Sequence, residues 1–365
     1  MTGPDTVAGR VLLVVGLVIV GVCMVLALVV VLAKVVRTRQ LRATAERQAP
    51  LRPLVLAVAA GEDEDGACAD RLAELPRSRR GDARDLLVSM LAKVRGGTAD
   101  DLVEVLARLR TVEAAEHALG SRSAVSRARA ARVLGLMRDQ RHTPELVGAL
   151  ADRSPEVRLV AARALGMVGD PSAAGAVLGA LAGSGGALGI PASTAAEALI
   201  GMGVGTAAAL QAGLRSEHAA VRNVAAGVAG VGLFTSTAPR LRVLLASDPD
   251  PEVRRTAARA LGQLGGREDV SALGRSTERG RPASLRRVAT EALGELGDPG
   301  AVPVLVGLLA DDDRRLAQIS ADALARLGRR GLEALTSLND EHTTAGRAAR
   351  GALAMAQLRA VGRPA

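Results

Sequence analysis

A short sequence motif is repeated along the last two thirds of the chain. It reads VRLVAARALGMVGDP at Val157–Pro171, VRRTAARALGQLG at Val253–Gly265 and LRRVATEALGELGDP at Leu285–Pro299. The position of the glycine in its ALG triplet returns about every 31 residues, and a period of this length indicates an array of similar helical or mixed units rather than a single compact core. The residues at that position are Gly135, Gly166, Ile200, Gly230, Gly262, Gly294, Ala325 and Ala354.

Each unit of the array reads as two α-helices. In the first helix Val157, Ala161 and Leu165 are four residues apart, which places them on one helical face. The second helix is short and apolar, as in AVPVLVGLLA at 301–310. A lone pair of helices of about 12 residues is marginal in water, whereas stacked pairs bury each other's apolar faces. The sequence therefore predicts an all-α fold, a right-handed α-solenoid of stacked helix pairs preceded by one transmembrane helix.

Turn-forming residues separate the predicted helices. Ser154 and Asp250 each precede a proline, so we expect them to be N-caps with proline at the first helical position. Gly169 is expected to end a first helix in the left-handed conformation. The following pair, Asp170–Pro171, is then expected to begin the second helix.

The motif VRxxAAxALGxxGDP resembles the HEAT-like repeat of the phycobilisome-lyase type. The resemblance covers residues 123–356, and residues 83–122 resemble a divergent pair of capping helices. The third repeat, TAAEALIGMG, departs from the pattern because Ile200 replaces the glycine. Similar repeats occur in scaffolds and adaptors, in a few tetrapyrrole lyases and in some DNA glycosylases, so the resemblance implies the armadillo-like solenoid fold and leaves the function open.

The N-terminal part of the chain contains a long apolar run. Residues 11–33 carry no charge, and 23 residues of helix span about 34 Å, enough for the hydrocarbon layer of a bilayer. A cleaved signal peptide usually has a shorter apolar run preceded by positive charge. We therefore expect an uncleaved single-pass anchor in the plasma membrane. The basic cluster that follows it keeps the repeats cytoplasmic and leaves residues 1–10 outside; it consists of Lys34, Arg37, Arg39 and Arg42.

Residues 34–82 lack the repeated motif. Pro50 and Pro53 interrupt the chain, and the segment GEDEDGACAD at 61–70 carries five acidic residues. These features predict a basic juxtamembrane segment followed by an acidic linker. At the other end, residues 357–365 are expected to form a C-terminal tail.

An arginine follows the opening apolar residue of the motif in most repeats. In the resembling proteins this position forms a ladder with aspartates of the loops between repeats. Binding of phosphate or an acidic peptide is the alternative, because guanidinium groups bind anions in bidentate fashion. The five arginines are Arg127, Arg158, Arg222, Arg254 and Arg286.

The sequence shows no recognisable catalytic or metal-binding motif. None of the four histidines has a second ligand at metal-binding spacing, and HExxH, GxSxG and phosphate-loop patterns are absent. We therefore expect a non-catalytic protein without cofactor or metal. Two alternatives stay open: a lyase-like enzyme, and a nucleic-acid-binding protein that uses an arginine face, since the net charge is +9.

A stretch of the array is almost free of charge. Between Pro171 and Leu214 the one charged residue is Glu197, whereas protein surfaces are usually rich in charge. An exposed apolar patch there would suit a partner, although small residues could equally be buried. The hypothesis is a membrane-anchored scaffold or adaptor for a protein partner, such as an envelope or transport complex. The candidate patch consists of Ala180, Leu181, Leu188, Ile190, Ala208 and Leu210.

Overall fold

In the computed structural model, helices joined by turns and loops make up the described residues, with no β-strand among them. These residues are 21, 23–32, 34, 35, 38, 39, 42–94, 96–183, 189–339 and 343–361. The chain divides into two compact units, Met1–Val112 and Glu113–Ala365. The prediction of an all-α fold is confirmed.

In the described part of the first unit, the four helices between Arg52 and Arg108 share a core of their own. They are α1 (Arg52–Ala60), α2 (Ala67–Ala73), α3 (Arg77–Leu91) and α4 (Gly97–Arg108). The apolar residues of these helices are fully or almost fully buried, among them Val55, Leu72, Leu87, Leu102 and Leu106. The segment 51–82, predicted as a linker, is therefore part of a folded unit, because its short apolar run packs against α2, α3 and α4.

The acidic segment at 61–70 has a local structural role. The Asp63 carboxylate accepts hydrogen bonds from the backbone N–H groups of Cys68 at 2.8 Å and Ala69 at 2.9 Å, and Asp65 accepts one from Ala67 at 3.1 Å. These N–H groups belong to the first turn of α2, where an intrahelical acceptor is missing. The bond from Cys68 is the main reason why the pKa of Asp63 is lowered. The acids that suggested a solvated linker cap a helix instead.

The predicted membrane segment is described in part. Residues 11–20, 22 and 33 lie outside the described residues, as does Arg37 of its basic flank. Cys23–Leu32 is an apolar helix whose large side chains are exposed, and Lys34, Arg39 and Arg42 are exposed as well. In the described part of the chain, the helical stretch long and apolar enough to cross a membrane is Ala192–Gly213. That stretch consists of two helices of the array joined by a 3-10 turn.

Helix α5 (Thr111–Leu119) precedes the array. In the array, the even-numbered helices from α6 onward are the first helices of the repeats, and the odd-numbered helices are the second. Consecutive first helices pack against one another in one layer, and the second helices lie against them in the other. The helices are α6 (Ala124–Met137), α7 (Thr143–Ala149), α8 (Pro155–Val168), α9 (Ala174–Gly179), α10 (Ala192–Met202), α11 (Ala207–Gly213), α12 (Ala219–Val231), α13 (Ala238–Ser247), α14 (Pro251–Leu264), α15 (Asp269–Ser276), α16 (Ala283–Leu296), α17 (Val302–Leu308), α18 (Arg314–Arg326), α19 (Arg329–Leu338) and α20 (Thr344–Val361).

The repeated glycine lets neighbouring first helices touch backbone to backbone. A Cβ atom placed on Gly166 would lie 2.7 Å from the Cα atom of Ala198, and one on Gly262 would lie 2.8 Å from the Cα atom of Ala292. Gly135, Gly230 and Gly294 approach Ala164, Ala260 and Ala323 in the same way. Real Cβ contacts are not this short, so these five glycines leave no room for a side chain. The repetition of ALG in the sequence follows from this contact.

Most first helices end as the turn residues predict. Gly169 has a φ of 74°, in the left-handed region, and Asp170 then accepts a hydrogen bond from the backbone N–H of Ser172 at 2.9 Å. Asp250 caps α14 by accepting from the N–H groups of Glu252 and Val253. Ser154 has the extended backbone of an N-cap with proline after it, but its side chain makes no capping bond.

Candidate partner surface

The predicted partner patch is largely part of the core. Leu181, Ile190 and Leu210 are buried, Ala180 is half-buried and Ala208 is exposed, while Leu188 lies outside the described residues. The described large members Leu181, Ile190 and Leu210 are at most 8% exposed. Among the described residues of the predicted patch only Ala208 is exposed, so these residues do not form a continuous apolar surface.

Exposed apolar side chains of the array are concentrated at a different place. They lie at the C-terminal ends of α10 and α12, the first helices of the third and fourth repeats. Ile200 is 49% exposed and Val204 is 84% exposed; Val231 and Leu233 are 59% and 62% exposed. Consecutive first helices are neighbours, so these four residues lie at the same end of two adjacent helices. We call them the aliphatic edge.

The aliphatic edge exists because these repeats depart from the pattern of the others. Ile200 stands at the position of the packed glycine, and its side chain cannot enter a backbone contact of the kind that Gly166 and Gly262 make. Val204 stands where other repeats have a capping aspartate such as Asp170. The third repeat therefore exposes Ile200 and Val204 where other repeats have a glycine and an aspartate.

Leu233 adopts a backbone conformation that an ordinary leucine avoids. Its φ is 55°, and it occupies the left-handed position that Gly169, Gly265 and Gly297 hold in other repeats. The left-handed region costs about 1–2 kcal/mol for a residue with a Cβ atom. Arg138 has a φ of 53° at the equivalent position of the first repeat, so the left-handed turn recurs, and at Leu233 it displays an aliphatic side chain. Aligning the repeats would have found this signal in the sequence, since Leu233 lies three residues after Gly230.

The side chains of the five repeated arginines form hydrogen bonds with loop residues of the array. Three of them make two-pronged contacts with an aspartate of the loop before the next repeat. Nε and Nη2 of Arg127 donate to Asp152 at 2.7 and 2.8 Å, those of Arg222 donate to Asp248 at 2.7 and 2.9 Å, and Nη1 and Nη2 of Arg286 donate to Asp311 at 3.4 and 2.6 Å.

The other two arginines continue these contacts. Arg158 donates to the backbone carbonyl of Asp152 at 2.9 Å, and Arg254 donates to that of Asp248 at 2.7 Å. Asp152 and Asp248 each therefore connect two successive arginines, one through the carboxylate and one through the carbonyl. Since all five guanidinium groups bind loop atoms of the array, they hold neighbouring repeats together.

The pKa values of the ladder aspartates predict how the array responds to acid. Hydrogen bonds from Arg127 and Arg286 lower the pKa of Asp152 and Asp311. At Asp248 burial is the largest single influence and raises the pKa, but the hydrogen bonds from Arg222 and from the backbone N–H of Asp250, together with the charges of Arg222 and Arg254, outweigh it, so the pKa is lowered as well. A carboxylate with a lowered pKa stabilises the fold fully above its unfolded pKa of about 3.9, and this stability is lost as the pH falls through the folded pKa.

We expect the free energy of unfolding to be level from pH 7 to pH 5 and to fall steeply below pH 4. Urea unfolding followed by circular dichroism at a series of pH values measures this. The variant Asp248→Asn, which cannot titrate at that position, should start from a lower stability and lose less of it on acidification. A wild-type protein and a variant with equal acid dependence would contradict this role of Asp248.

Cys68 and three described histidines carry side chains of the kinds that often act as a nucleophile or general base. Burial, followed by the negative charge of Asp63, raises the pKa of the Cys68 thiol, which disfavours the nucleophilic thiolate. Cys68 also lies in the first unit, outside the array. His142 is buried with Nδ1 3.3 Å from a Glu116 carboxylate oxygen, and His117 and His218 are exposed. In the part of the chain that the structure describes, no group of His, Cys, Asp and Glu residues could hold a metal ion.

The match to known families decides what the array is. A family model described as HEAT repeats matches residues 111–200, 206–289 and 276–355, which is more than half of the chain. The chain belongs to the HEAT-repeat family. The predicted HEAT membership is confirmed, and the match begins at α5, where the second compact unit begins. No curated protein matches this HEAT-repeat chain.

Several solved structures are similar to parts of the HEAT-repeat protein. The Escherichia coli protein YibA is 20% identical, with 73% of this chain and 97% of that one covered and a TM-score of 0.40. Human deoxyhypusine hydroxylase is 21% identical, with 87% and 99% covered and a TM-score of 0.30. The CpcE and CpcF complex of phycocyanin lyase from Nostoc is 22% identical, with 69% and 92% covered and a TM-score of 0.26. The family assignment rests on the sequence match, not on these distant likenesses.

Proposed function

We propose that this HEAT-repeat protein is a non-catalytic scaffold or adaptor that is anchored in the plasma membrane and binds a protein partner on the cytoplasmic side. The aliphatic edge is the observation that carries the proposal. Four aliphatic side chains are exposed together on two adjacent helices, and one of them is held in a strained backbone conformation. A membrane or envelope complex is the class of partner that fits an anchored scaffold.

Leaving the aliphatic edge exposed to water is unfavourable in free energy, which favours a partner that covers it. Removing apolar surface from water contributes about 25 cal/mol per Å². Residues 223–239 carry no charge, so a partner that covers this edge does not have to remove water from a charged side chain of that segment. Large apolar contacts without charge typically form the centre of a protein interface.

The proposed anchor is residues 11–33. The large side chains of Cys23–Leu32 are exposed in the structure, and they are the side chains that a bilayer would cover. Lys34, Arg39 and Arg42 follow directly, and basic residues mark the cytoplasmic side of a span. An anchored array meets its membrane partner at a raised effective concentration, so a small contact area is sufficient.

Photo-crosslinking in intact cells tests the anchor and the partner surface together. A photoreactive amino acid at Val204 or at Leu233 should give crosslinks to the same protein, and both products should stay in the membrane pellet after alkaline carbonate. Ala208 is the matched control, because it is exposed on α11 of the same repeat.

We expect no such product from a photoreactive residue at Ala208. Changing Leu233 to Glu should abolish the crosslink from Val204 by placing a charge in the apolar contact. Equal yields from all three positions would overturn the partner surface. Release of the protein by carbonate would overturn the anchor and leave the partner surface standing.

A further inference from the structure

The outward face of the fourth repeat lacks a side chain that the other repeats have. All the first helices from α6 to α18 except α12 carry a charged residue three positions before the repeated glycine position. Most of them are exposed, so the charges form a ridge along the layer of first helices. The ridge residues are Arg132, Arg163, Glu197, Arg259, Glu291 and Asp322, and the residue at this position in α12 is Gly227.

Packing does not require glycine at this position. The nearest atom to a Cβ built on Gly227 is Cγ2 of Thr256 at 3.7 Å, an ordinary contact distance, and the residue lies inside a regular helix. Glycine within a helix costs about 0.5–1 kcal/mol relative to alanine. The helix therefore carries a residue that weakens it without improving its packing, and the effect is a gap in the ridge.

General helix-packing distances give this gap room for one α-helix. Its floor is the outward stripe of α12, formed by Asn223, Gly227 and Val231 at helical spacing. Its walls are Glu197 of α10 and Arg259 of α14. Packed helices lie about 8–10 Å apart, so the two wall helices are separated by roughly 16–20 Å, and a helix with its side chains is about 10–12 Å wide. One helix therefore fits between the walls.

The two walls have opposite charge. Glu197 and Arg259 are both exposed, and neither forms an ion pair within the described residues. The aliphatic edge adjoins the gap at the C-terminal ends of α10 and α12, where Ile200 and Val231 are exposed. The floor thus combines the half-buried amide of Asn223 with Gly227 and the exposed Val231, and it lies between a negative wall on one side and a positive wall on the other.

We propose that this gap binds an amphipathic α-helix of the partner, laid along α12. Its aliphatic stripe covers Gly227 and Val231, basic residues on one flank face Glu197, and acidic residues on the other flank face Arg259. The inference rests on the proposed function and deepens it by stating the chemistry of the partner segment. The complementary charges favour such a helix over a bilayer, which has no acidic and basic flank to match the two walls.

The test uses three designed 18-residue helical peptides that share one leucine stripe. One peptide has lysine on one flank and glutamate on the other, one has lysine on both flanks, and one has glutamate on both. Binding to the purified full chain is measured by fluorescence anisotropy. We expect the mixed peptide to bind about three- to fivefold more tightly than either of the others, the range of a surface ion pair.

Reversing one wall should change the preference in a defined way. In Glu197→Arg both walls are basic, so the peptide with glutamate on both flanks should become the tightest ligand. If this variant keeps the preference of the wild type, or if all three peptides bind the wild type equally, the proposed charge recognition is wrong.

Filling the gap should abolish binding without unfolding the array. Gly227→Arg restores the ridge, and its Cβ has room, so the thermal unfolding curve should be retained while affinity for the mixed peptide falls at least tenfold. Gly148→Arg is the matched control, because Gly148 lies in α7 of the other layer with no atom within 4 Å of a built Cβ. That variant should bind like the wild type.

Other occupants of the gap would give different results. A dimer in size-exclusion chromatography that Gly227→Arg converts to a monomer, without peptide binding, would overturn the proposal in favour of a second copy. Flotation with anionic vesicles that depends on Gly227, without peptide binding, would overturn it in favour of a lipid surface. If peptides fail to bind but crosslinks from Val204 persist, the partner is not a helix and the proposed function stands.

Discussion

Replacing Asp248 by alanine should lower the free energy of unfolding by about 3–5 kcal/mol, the typical effect of breaking a buried ion pair. The Asp248 side chain is 1% exposed and that of Arg222 is 9% exposed. Arginine cannot lose its charge at neutral pH, so the variant leaves a buried guanidinium without its carboxylate. The backbone N–H of Asp250 loses its acceptor as well. Urea unfolding at pH 7 measures the loss.

The matched control removes an acid from an exposed ion pair. Glu333 lies 3.6 Å from Arg329 on the surface of α19, and Glu333→Ala should be indistinguishable from the wild type because exposed pairs contribute little. A loss of less than 1 kcal/mol for Asp248→Ala would show that the Arg–Asp contacts do not hold the repeats together.

Adding a single methyl group at Gly262 should also lower the free energy of unfolding strongly. Gly262→Ala would place its Cβ atom 2.8 Å from both Cα and Cβ of Ala292. Helix α16 has no flexible side chain at this point that could move aside, so the two helices must separate. We expect a loss of about 3 kcal/mol, the upper end of the range for overpacked cores. Thermal or urea unfolding followed by circular dichroism is the measurement.

Gly227→Ala is the control for Gly262→Ala, because both glycines lie within first helices. At Gly227 the added methyl group meets Cγ2 of Thr256 at 3.7 Å, so the variant should gain about 0.5–1 kcal/mol from the better helix propensity of alanine. Two variants with equal effects on stability would contradict the close approach of α14 and α16.

The sequence predicted the array well because packing and sequence have the same period. Gly166 and Gly262 recur for the reason that the structure shows, a backbone contact with no room for a side chain. The left-handed Gly169 and the cap at Asp250 follow from local backbone chemistry, which short motifs encode directly. Such features depend on residues close in sequence or on the repeat itself.

The sequence did not predict which aliphatic side chains would be exposed to solvent. Leu181, Val204 and Leu210 all lie in the charge-poor stretch, yet Val204 is exposed and the two leucines are buried. Leu233 lies beyond that stretch and is exposed. Composition does not separate these cases, since both are aliphatic residues among alanines and glycines. The sequence did not predict helix α1, because the acidic residues that follow it are typical of a linker. Their capping of the next helix depends on the folded backbone.

Different residues hold the array together and bind the proposed partner, and one variant tests this separation most directly. In Gly227→Arg we expect the free energy of unfolding to match that of Gly148→Arg, while the crosslink from Val204 is lost in Gly227→Arg and kept in Gly148→Arg. An undiminished crosslink in Gly227→Arg cells would contradict the central claim that a partner occupies the outward face of the fourth repeat.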